Sequence, residues 1–286
     1  MHTHNAPPPS AQYIRRHTNR RHVCNLITRN SASASAASCP NDFPAARFAR
    51  DAVAAGRAPA GGDPRTHFVD DEDSRSLFAG YAGAARRLRT QLKNQGIVVD
   101  RDYRLVVSLP CGVGGGPSGV TYGLKQEFGD AVLCVFVEPV EVPAMTFGVR
   151  SGLHSDICVQ DIGLTGRTAG DGLAVARPSW FVGERVGGLV DGFATVDDDV
   201  MRAGVSLLTH TEGVSVEPSA TAGLTIPWRI ARAVKAGKLP TDLDAPTTTH
   251  LVWLTGGSMV PDEEMVQYFT DGAALTHAFT TEAELL

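Results

Sequence analysis

The chain has 286 residues, 43% of them hydrophobic, and a formal net charge of -5. That length accommodates one large domain or two small ones around a substantial core. The acidic balance, with a pI near 6.0, argues against nucleic acid or another polyanion as partner, and no apolar run is long enough to span a membrane.

Five cysteines, Cys24, Cys39, Cys111, Cys134 and Cys158, form no C-x-x-C pair and no metal-ligand spacing. Cys134 and Cys158 sit in apolar runs, the pattern of reduced core thiols in a cytoplasmic protein. The first 50 residues differ from the rest. Residues 1–41 contain no Asp or Glu, carry Arg15, Arg16, Arg20, Arg21 and Arg29, and include a Ser/Ala-rich stretch from Ser31 to Ser38. An Arg-rich, acid-free leader has the composition of an organellar transit peptide. Prolines at 7–9 and the lack of an amphipathic repeat favour a disordered tail outside the folded domain.

The globular region is expected over 51–270, with a tail at 271–286. Asp70, Asp71, Glu72 and Asp73 precede a helical stripe of Leu77, Tyr81, Ala84, Leu88 and Leu92. Acids at its start and Arg86, Arg87, Arg89 and Lys93 towards its end suit the helix dipole, and Gly96 is placed to cap it. Leu105–Leu109 reads as a buried strand, Ser118–Phe128 as a helix, Ala131–Val137 as a second buried strand and Ile157–Val159 as a short one. Asp198–His210 is helical in pattern, Gly213–Val216 short and β-like, and Thr221–Ala236 helical despite Pro227. Thr249–Leu254 is a last buried strand. Continuous apolar strands alternating with helices indicate an α/β domain with a doubly wound parallel sheet.

Between the first strand and its helix lies Cys111-Gly112-Val113-Gly114-Gly115-Gly116-Pro117-Ser118-Gly119. Five glycines in eight residues exceed what a tight turn needs. They let backbone amides close around an anion, and the helix N-terminus behind them adds a favourable dipole. Thr255-Gly256-Gly257 ends the last strand, so both segments fall at strand C-termini, where ligands of such sheets bind.

Two anions compete for the loop. Gly114-x-Gly116-x-x-Gly119 is a literal G-x-G-x-x-G, and Glu138 ends the next strand about twenty residues on, as a dinucleotide (NAD-type) fold requires. Against it, Pro117 removes an amide inside the fingerprint and Pro139 follows the ribose acid. The other anion is the phosphate of pyridoxal phosphate. The segments LPCGVGGGPSGVTYGLKQEFGD, VFVEP, GLHSDICVQDIGL, DGLAVARPS, DGFATVDDDVM, VEPSATAGL and THLVWLTGGSMVPDEEM occur in one order, within a resemblance that extends from about Asp51 to Tyr268. In that order they resemble the D-serine ammonia-lyase (D-serine dehydratase) family of fold-type II pyridoxal-phosphate enzymes, specifically its C-terminal half.

The resemblance implies a lyase acting on D-serine, yielding pyruvate and ammonia, with the cofactor storing the electrons released at Cα. It implies that Gly112, Val113, Gly114, Gly115 and Gly116 bind the cofactor phosphate and that Thr255 hydrogen-bonds the pyridine nitrogen. Glu217 matches the place of a monovalent-cation acid, which suggests K+. Asp70 and Asp71 lie where relatives have a loop near the substrate, although a helix N-terminal acidic cluster fits them equally well. The Thr255 hydroxyl and the Glu217 carboxylate also fit ordinary strand-end roles. His154, His210 and Cys111 receive no role. The implied partner is the small-molecule substrate, with neither nucleic acid nor membrane; a monomer is one option, and the oligomeric state stays open.

The chemistry also needs a Schiff-base lysine, which the family carries in an S-x-K-x-R-G motif upstream of the glycine loop. The four lysines here, Lys93, Lys125, Lys235 and Lys238, have no such context, and Lys125 is expected to face solvent. The expectation is a truncated or mis-started lyase, inactive alone and poorly soluble, or a cofactor- or partner-binding remnant that pairs with a polypeptide carrying the lysine.

Overall fold

The computed structural model describes residues 75–277 together with the short strand β1 (His22–Val23). The remaining elements are α1 (Arg75–Asn94), β2 (Leu105–Pro110), α2 (Gly115–Phe128), β3 (Val132–Pro139), α3 (Ala144–Ser151), α4 (Trp180–Val186), β4 (Gly192–Val196), α5 (Asp198–Glu212), α6 (Ile226–Lys235), β5 (Thr249–Val252) and α7 (Asp262–Ala274), with short 3-10 turns between them. All pairings are parallel, in the order β1-β5-β2-β3-β4.

Each central strand is buried on both faces, which explains its unbroken apolar run. Leu105, Val107 and Leu109 of β2, with Val132, Cys134 and Phe136 of β3, pack on one face against Leu88 and Leu92 of α1 and Val120 and Leu124 of α2. Val106, Val137 and Val252 point the other way, against Met201 and Leu208 of α5 and Ile226 and Ile230 of α6. The period of two in the strands thus divides one sheet between two cores. Phe136 and Phe193 meet edge to face, 5.9 Å apart, and extend the first core to the β4 edge.

The helices α1 and α2 approach closely because glycine removes the side chain at the crossing. A Cβ at Gly119 would lie 2.4 Å from the Phe78 carbonyl, and one at Gly123 would lie 2.3 Å from the Ala82 carbonyl. These contacts, with the Arg89–Glu127 ion pair at 2.8 Å, run in the same order along both helices. α1 and α2 are therefore parallel to each other and end together below the sheet.

Several expectations are corrected. Ile157–Val159 is not a strand: Cys158 precedes a 3-10 turn over Val159–Ile162, stabilised by the Asp161 carboxylate accepting from the Cys158 amide at 2.8 Å. Among the described residues Gly213–Val216 has no strand partner, although Val214 and Val216 are buried in the second core. The helix expected from Thr221 begins at Ile226, with Pro227 in its first turn, where the missing N–H is harmless. Lys125 does not face solvent. It donates to the Val132 carbonyl at 2.8 Å and pairs with Asp191, which in turn accepts from the Cys134 amide at 2.7 Å. The expected boundary at 270/271 falls inside α7. No described helix is long and apolar enough to cross a membrane, and Cys111, Cys134 and Cys158 are buried free thiols.

Candidate functional site

The chain proceeds from β2 outward to β3 and β4, then returns to place β5 on the opposite side of β2. The strand order reverses between β2 and β5, and a crevice opens at such a switch point beyond the strand C-termini. The glycine loop leaves β2 there, and Thr255 follows β5 on the neighbouring strand.

Gly114 is the N-cap of α2, with φ 104, and offers no side-chain cap. The first turn of the helix carries no acid. Ser118 is satisfied within the loop, its amide donating to the Gly114 carbonyl at 3.0 Å and its hydroxyl to the Gly115 carbonyl at 3.1 Å. Among the described residues, no protein acceptor meets the amides of Gly112, Val113, Gly114, Gly115 or Gly116. A run of free amides at a helix N-terminus fits an anion of phosphate size.

Four contacts fix the loop. The Cys111 amide donates to the Val137 carbonyl at 2.9 Å, and the Ser179 amide to the Val113 carbonyl at 3.1 Å. A Cβ at Gly112 would lie 3.0 Å from the Gly172 carbonyl, and one at Gly114 would lie 2.3 Å from Met145 Cε and 3.0 Å from Val182 Cγ1. The turn Asp171–Leu173 therefore lies against the loop from one side, and α3 and α4 against it from the other. The Gly172 amide donates to Ser219 Oγ at 3.0 Å, and Asp198 accepts from the Ala169 amide at 2.6 Å, which anchors the segment carrying that turn. Sequence reasoning gave this turn no part in the site. Its signal was the Asp-Gly pair after a glycine-rich stretch.

Glu138 is fully buried. Its carboxylate accepts from the Met145 amide at 2.7 Å, the Thr146 amide at 2.9 Å and the Thr146 hydroxyl at 2.5 Å. Burial pushes its pKa up to about 7 against those three bonds, which pull it down. Both oxygens face α3, so none is left for a ribose hydroxyl, and the dinucleotide fingerprint loses its acid.

Thr255 is exposed. The adjoining Gly256 and Gly257 are clamped to the segment before Glu217: the Glu217 amide donates to the Gly256 carbonyl at 3.3 Å, and a Cβ at Gly257 would lie 2.6 Å from Val216 Cα. Glu217 is half-buried, and its pKa is raised by burial and then by the charges of Asp171 and Glu264. Thr255, Glu217 and Asp171 thus gather at the β5 end of the crevice. Among the described residues, no group of three or more His, Cys, Asp or Glu is arranged to hold a metal ion. Asp70 and Asp71 lie outside the described residues. Burial and the Glu138 charge raise the Cys111 pKa well above the ordinary thiol value, consistent with an inert core position. His154 packs its ring against Gly183 of α4, with its backbone at φ 47.

The four lysines are all at the other pole. Lys93 ends α1, and Lys125 is bonded to the first residue of β3. Lys235 and Lys238 follow one another at the end of α6 before β5. Each position leads into a strand N-terminus, opposite the glycine loop.

The sequence signature of the family described as "Pyridoxal-phosphate dependent enzyme" matches residues 2–255. The chain belongs to this family. Among curated members it is 52% identical over 227 residues to the probable D-serine dehydratase of Chromobacterium violaceum, covering 78% of this chain and 51% of that protein. The match to the probable D-serine dehydratase of Pseudomonas aeruginosa has the same identity and coverage. The D-serine dehydratase of Escherichia coli is 50% identical over 223 residues, covering 77% of this chain and 50% of that protein. The chain spans about half the length of the curated relatives it matches. Two solved structures share its architecture: a fungal L-serine ammonia-lyase from Rhizomucor miehei, at 21% identity, TM-score 0.55 and coverage of 73% of this chain and 60% of that one, and a threonine deaminase from Solanum lycopersicum, at 20% identity, TM-score 0.51 and coverage of 70% and 51%. At these identities the likeness concerns the fold.

Proposed function

We propose that this chain forms the phosphate-binding half of a pyridoxal-phosphate-dependent lyase that converts D-serine to pyruvate and ammonia. The observation that carries the reading is the set of amides from Gly112 to Gly116 that no acceptor among the described residues meets, at the head of α2 and beside the switch point. The names of its curated relatives supply the substrate.

When bound, the cofactor supplies an electron sink that lowers the cost of removing the substrate's Cα proton. The loop amides hold its phosphate, with the α2 dipole in support. Met145 and Val182 fix Gly114 in its left-handed conformation, and the Asp171–Leu173 turn excludes water beside Gly112. The Thr255 hydroxyl, at the end of β5, would hold the pyridine nitrogen as a neutral partner. A β-hydroxyl leaving group needs less electron withdrawal than a protonated ring provides. Glu217, whose pKa is raised first by burial and then by the charges of Asp171 and Glu264, is assigned a monovalent cation such as K+.

Among the described residues no lysine faces the loop, so we assign these residues cofactor binding and leave the amine to a segment outside them. Titration with pyridoxal phosphate and with pyridoxal, each followed by borohydride reduction and peptide mapping, tests this. The expected result is phosphate-dependent binding with no stoichiometric adduct on a single lysine, and pyruvate formation from D-serine only after mixing with the N-terminal half of a relative. Equal affinity for the two ligands would overturn the phosphate cup. A single fully modified lysine would overturn the division of labour.

A further inference from the structure

We infer that Glu138 is a positioning residue for the anion cup, holding Gly114 in place through the first turn of α3 and the side chain of Met145; this rests on the reading of the glycine loop as a phosphate site.

The helix α3 begins at Ala144, directly after Pro143, and Pro143 supplies no side-chain cap to the helix amides. Glu138 performs that task from a neighbouring strand. Its two carboxylate oxygens take the amides of Met145 and Thr146 at 2.7 and 2.9 Å, and the Thr146 hydroxyl as well. A negative charge at a helix start is favoured by the dipole. The bonds fix the helix start directly beneath the loop, because the residue whose amide Glu138 holds is also the residue whose side chain touches Gly114. Met145 is 1% exposed, and its Cε occupies the space that any Cβ at Gly114 would need.

The strand end is joined to the loop a second time. Val137, one residue before Glu138, accepts from the Cys111 amide at 2.9 Å. Both ends of the loop's approach, Cys111 and Gly114, are thus tied to one dipeptide of β3. The hydrogen bonds of Glu138 run to α3 and not to the loop amides, so α3 is its bonded route to Gly114.

The groups facing the carboxylate are Thr146 from α3, Thr195 as its pairing partner on β4, and Cys111 from the loop after β2. Of these only the Cys111 thiol titrates, and its pKa is held well above the ordinary thiol value. The His154 ring lies against Gly183 of α4, beside the Val182 that meets Gly114, so the transition is assigned to Glu138, raised to about 7, by its loss in Glu138→Gln.

The test uses the full chain and its Glu138→Gln, Met145→Ala and doubly substituted forms. The first readout is the Gly114 backbone amide resonance between pH 5.5 and 8.5 in the absence of ligand. The wild-type resonance is expected to shift with a midpoint near 7. The shift is expected to vanish in Glu138→Gln and to shrink in Met145→Ala, where the carboxylate still titrates but the link is cut. The second readout is the ratio of affinities for pyridoxal phosphate over pyridoxal. Each single substitution is expected to lower it about tenfold, the worth of one charge-assisted hydrogen bond to the anion, and the double substitution no further, since coupled residues are not additive. Pyridoxal affinity stays unchanged.

A Gly114 resonance that ignores pH in the wild-type chain, or that still titrates in Glu138→Gln, overturns the inference. So does a double substitution whose effect on the ratio is the product of the single effects. If the wild-type chain shows no preference for the phosphorylated ligand while Gly114 still titrates through Glu138, the phosphate reading fails and the mechanical link stands.

Discussion

Gly114→Ala separates two contributions to the cup that the fold keeps in one residue. Gly114 has φ 104, and a methyl group there would meet Met145 Cε at 2.3 Å and Val182 Cγ1 at 3.0 Å. The backbone conformation alone costs an L residue about 1–2 kcal/mol. Overpacking against two buried side chains adds about 1–3 kcal/mol, reduced to the extent that the flexible Met145 tip can turn away. Gly152 is the reference, since it has φ 73 with nothing within 4 Å of an added Cβ, so Gly152→Ala reports backbone strain alone. Denaturant unfolding is expected to show a loss of about 1–2 kcal/mol for Gly152→Ala and about 2–5 kcal/mol for Gly114→Ala. Binding is expected to separate them further. Displacing one amide from a charge-assisted bond to phosphate costs about 1.5–3 kcal/mol, or roughly 10–100-fold in affinity for pyridoxal phosphate, whereas Gly152→Ala leaves affinity unchanged. If Gly114→Ala matches Gly152→Ala in stability and keeps full affinity, then neither the packing around Gly114 nor its amide matters to the site.

Glu138 also makes global stability depend on pH. Its pKa is raised from 4.5 to about 7 in the folded chain, so the native state holds the proton more tightly than the unfolded state does. Its contribution is complete below about pH 4.5 and is lost as pH rises through 7, a change of about 3 kcal/mol. Glu138→Gln is expected to remove that part of the slope in denaturant titrations between pH 5 and 8, and an unchanged slope refutes it. Lys125→Met strands Asp191, and because the two side chains are 16% and 28% exposed, the expected loss is about 1–3 kcal/mol rather than that of a dry pair. Equilibrium unfolding reads it, and a neutral result would mean water replaces the lysine. Two glycines near the α1–α2 contact should respond with opposite signs. Gly123→Ala drives a methyl group against the Ala82 carbonyl at 2.3 Å and should cost about 3 kcal/mol or more, while Gly83→Ala, with open space around it, should raise stability by about 1 kcal/mol. Melting temperatures moving in the same direction would contradict the close packing of the two helices.

The strands at Leu105, Ala131 and Thr249 were legible because parallel strands buried on both faces are written as continuous apolar runs. β4 was not, since Gly-Phe-Ala-Thr-Val sits at the described sheet edge with four of its five residues only half-buried. Ile157–Val159 and Gly213–Val216 look alike as short apolar segments, but burial without a pairing partner leaves them as turn and coil. Of the site, the glycine loop and Thr255 could be placed from the sequence because a strand precedes each of them. The support beneath the loop could not. Glu138, Met145 and Gly172 come from three separate stretches, and α3 is a two-turn helix whose cap is five residues before its own N-cap. Glu138 stood out in the sequence only as a ribose ligand, a role that its buried oxygens cannot fill.

The side-chain amines of Lys93, Lys235 and Lys238 are exposed and share the pole of the sheet opposite the glycine loop. Coupling the protein to a surface through its ε-amino groups would therefore tether it by that pole and present the anion cup outward, with the attachment points separated from the binding face by the full length of the strands.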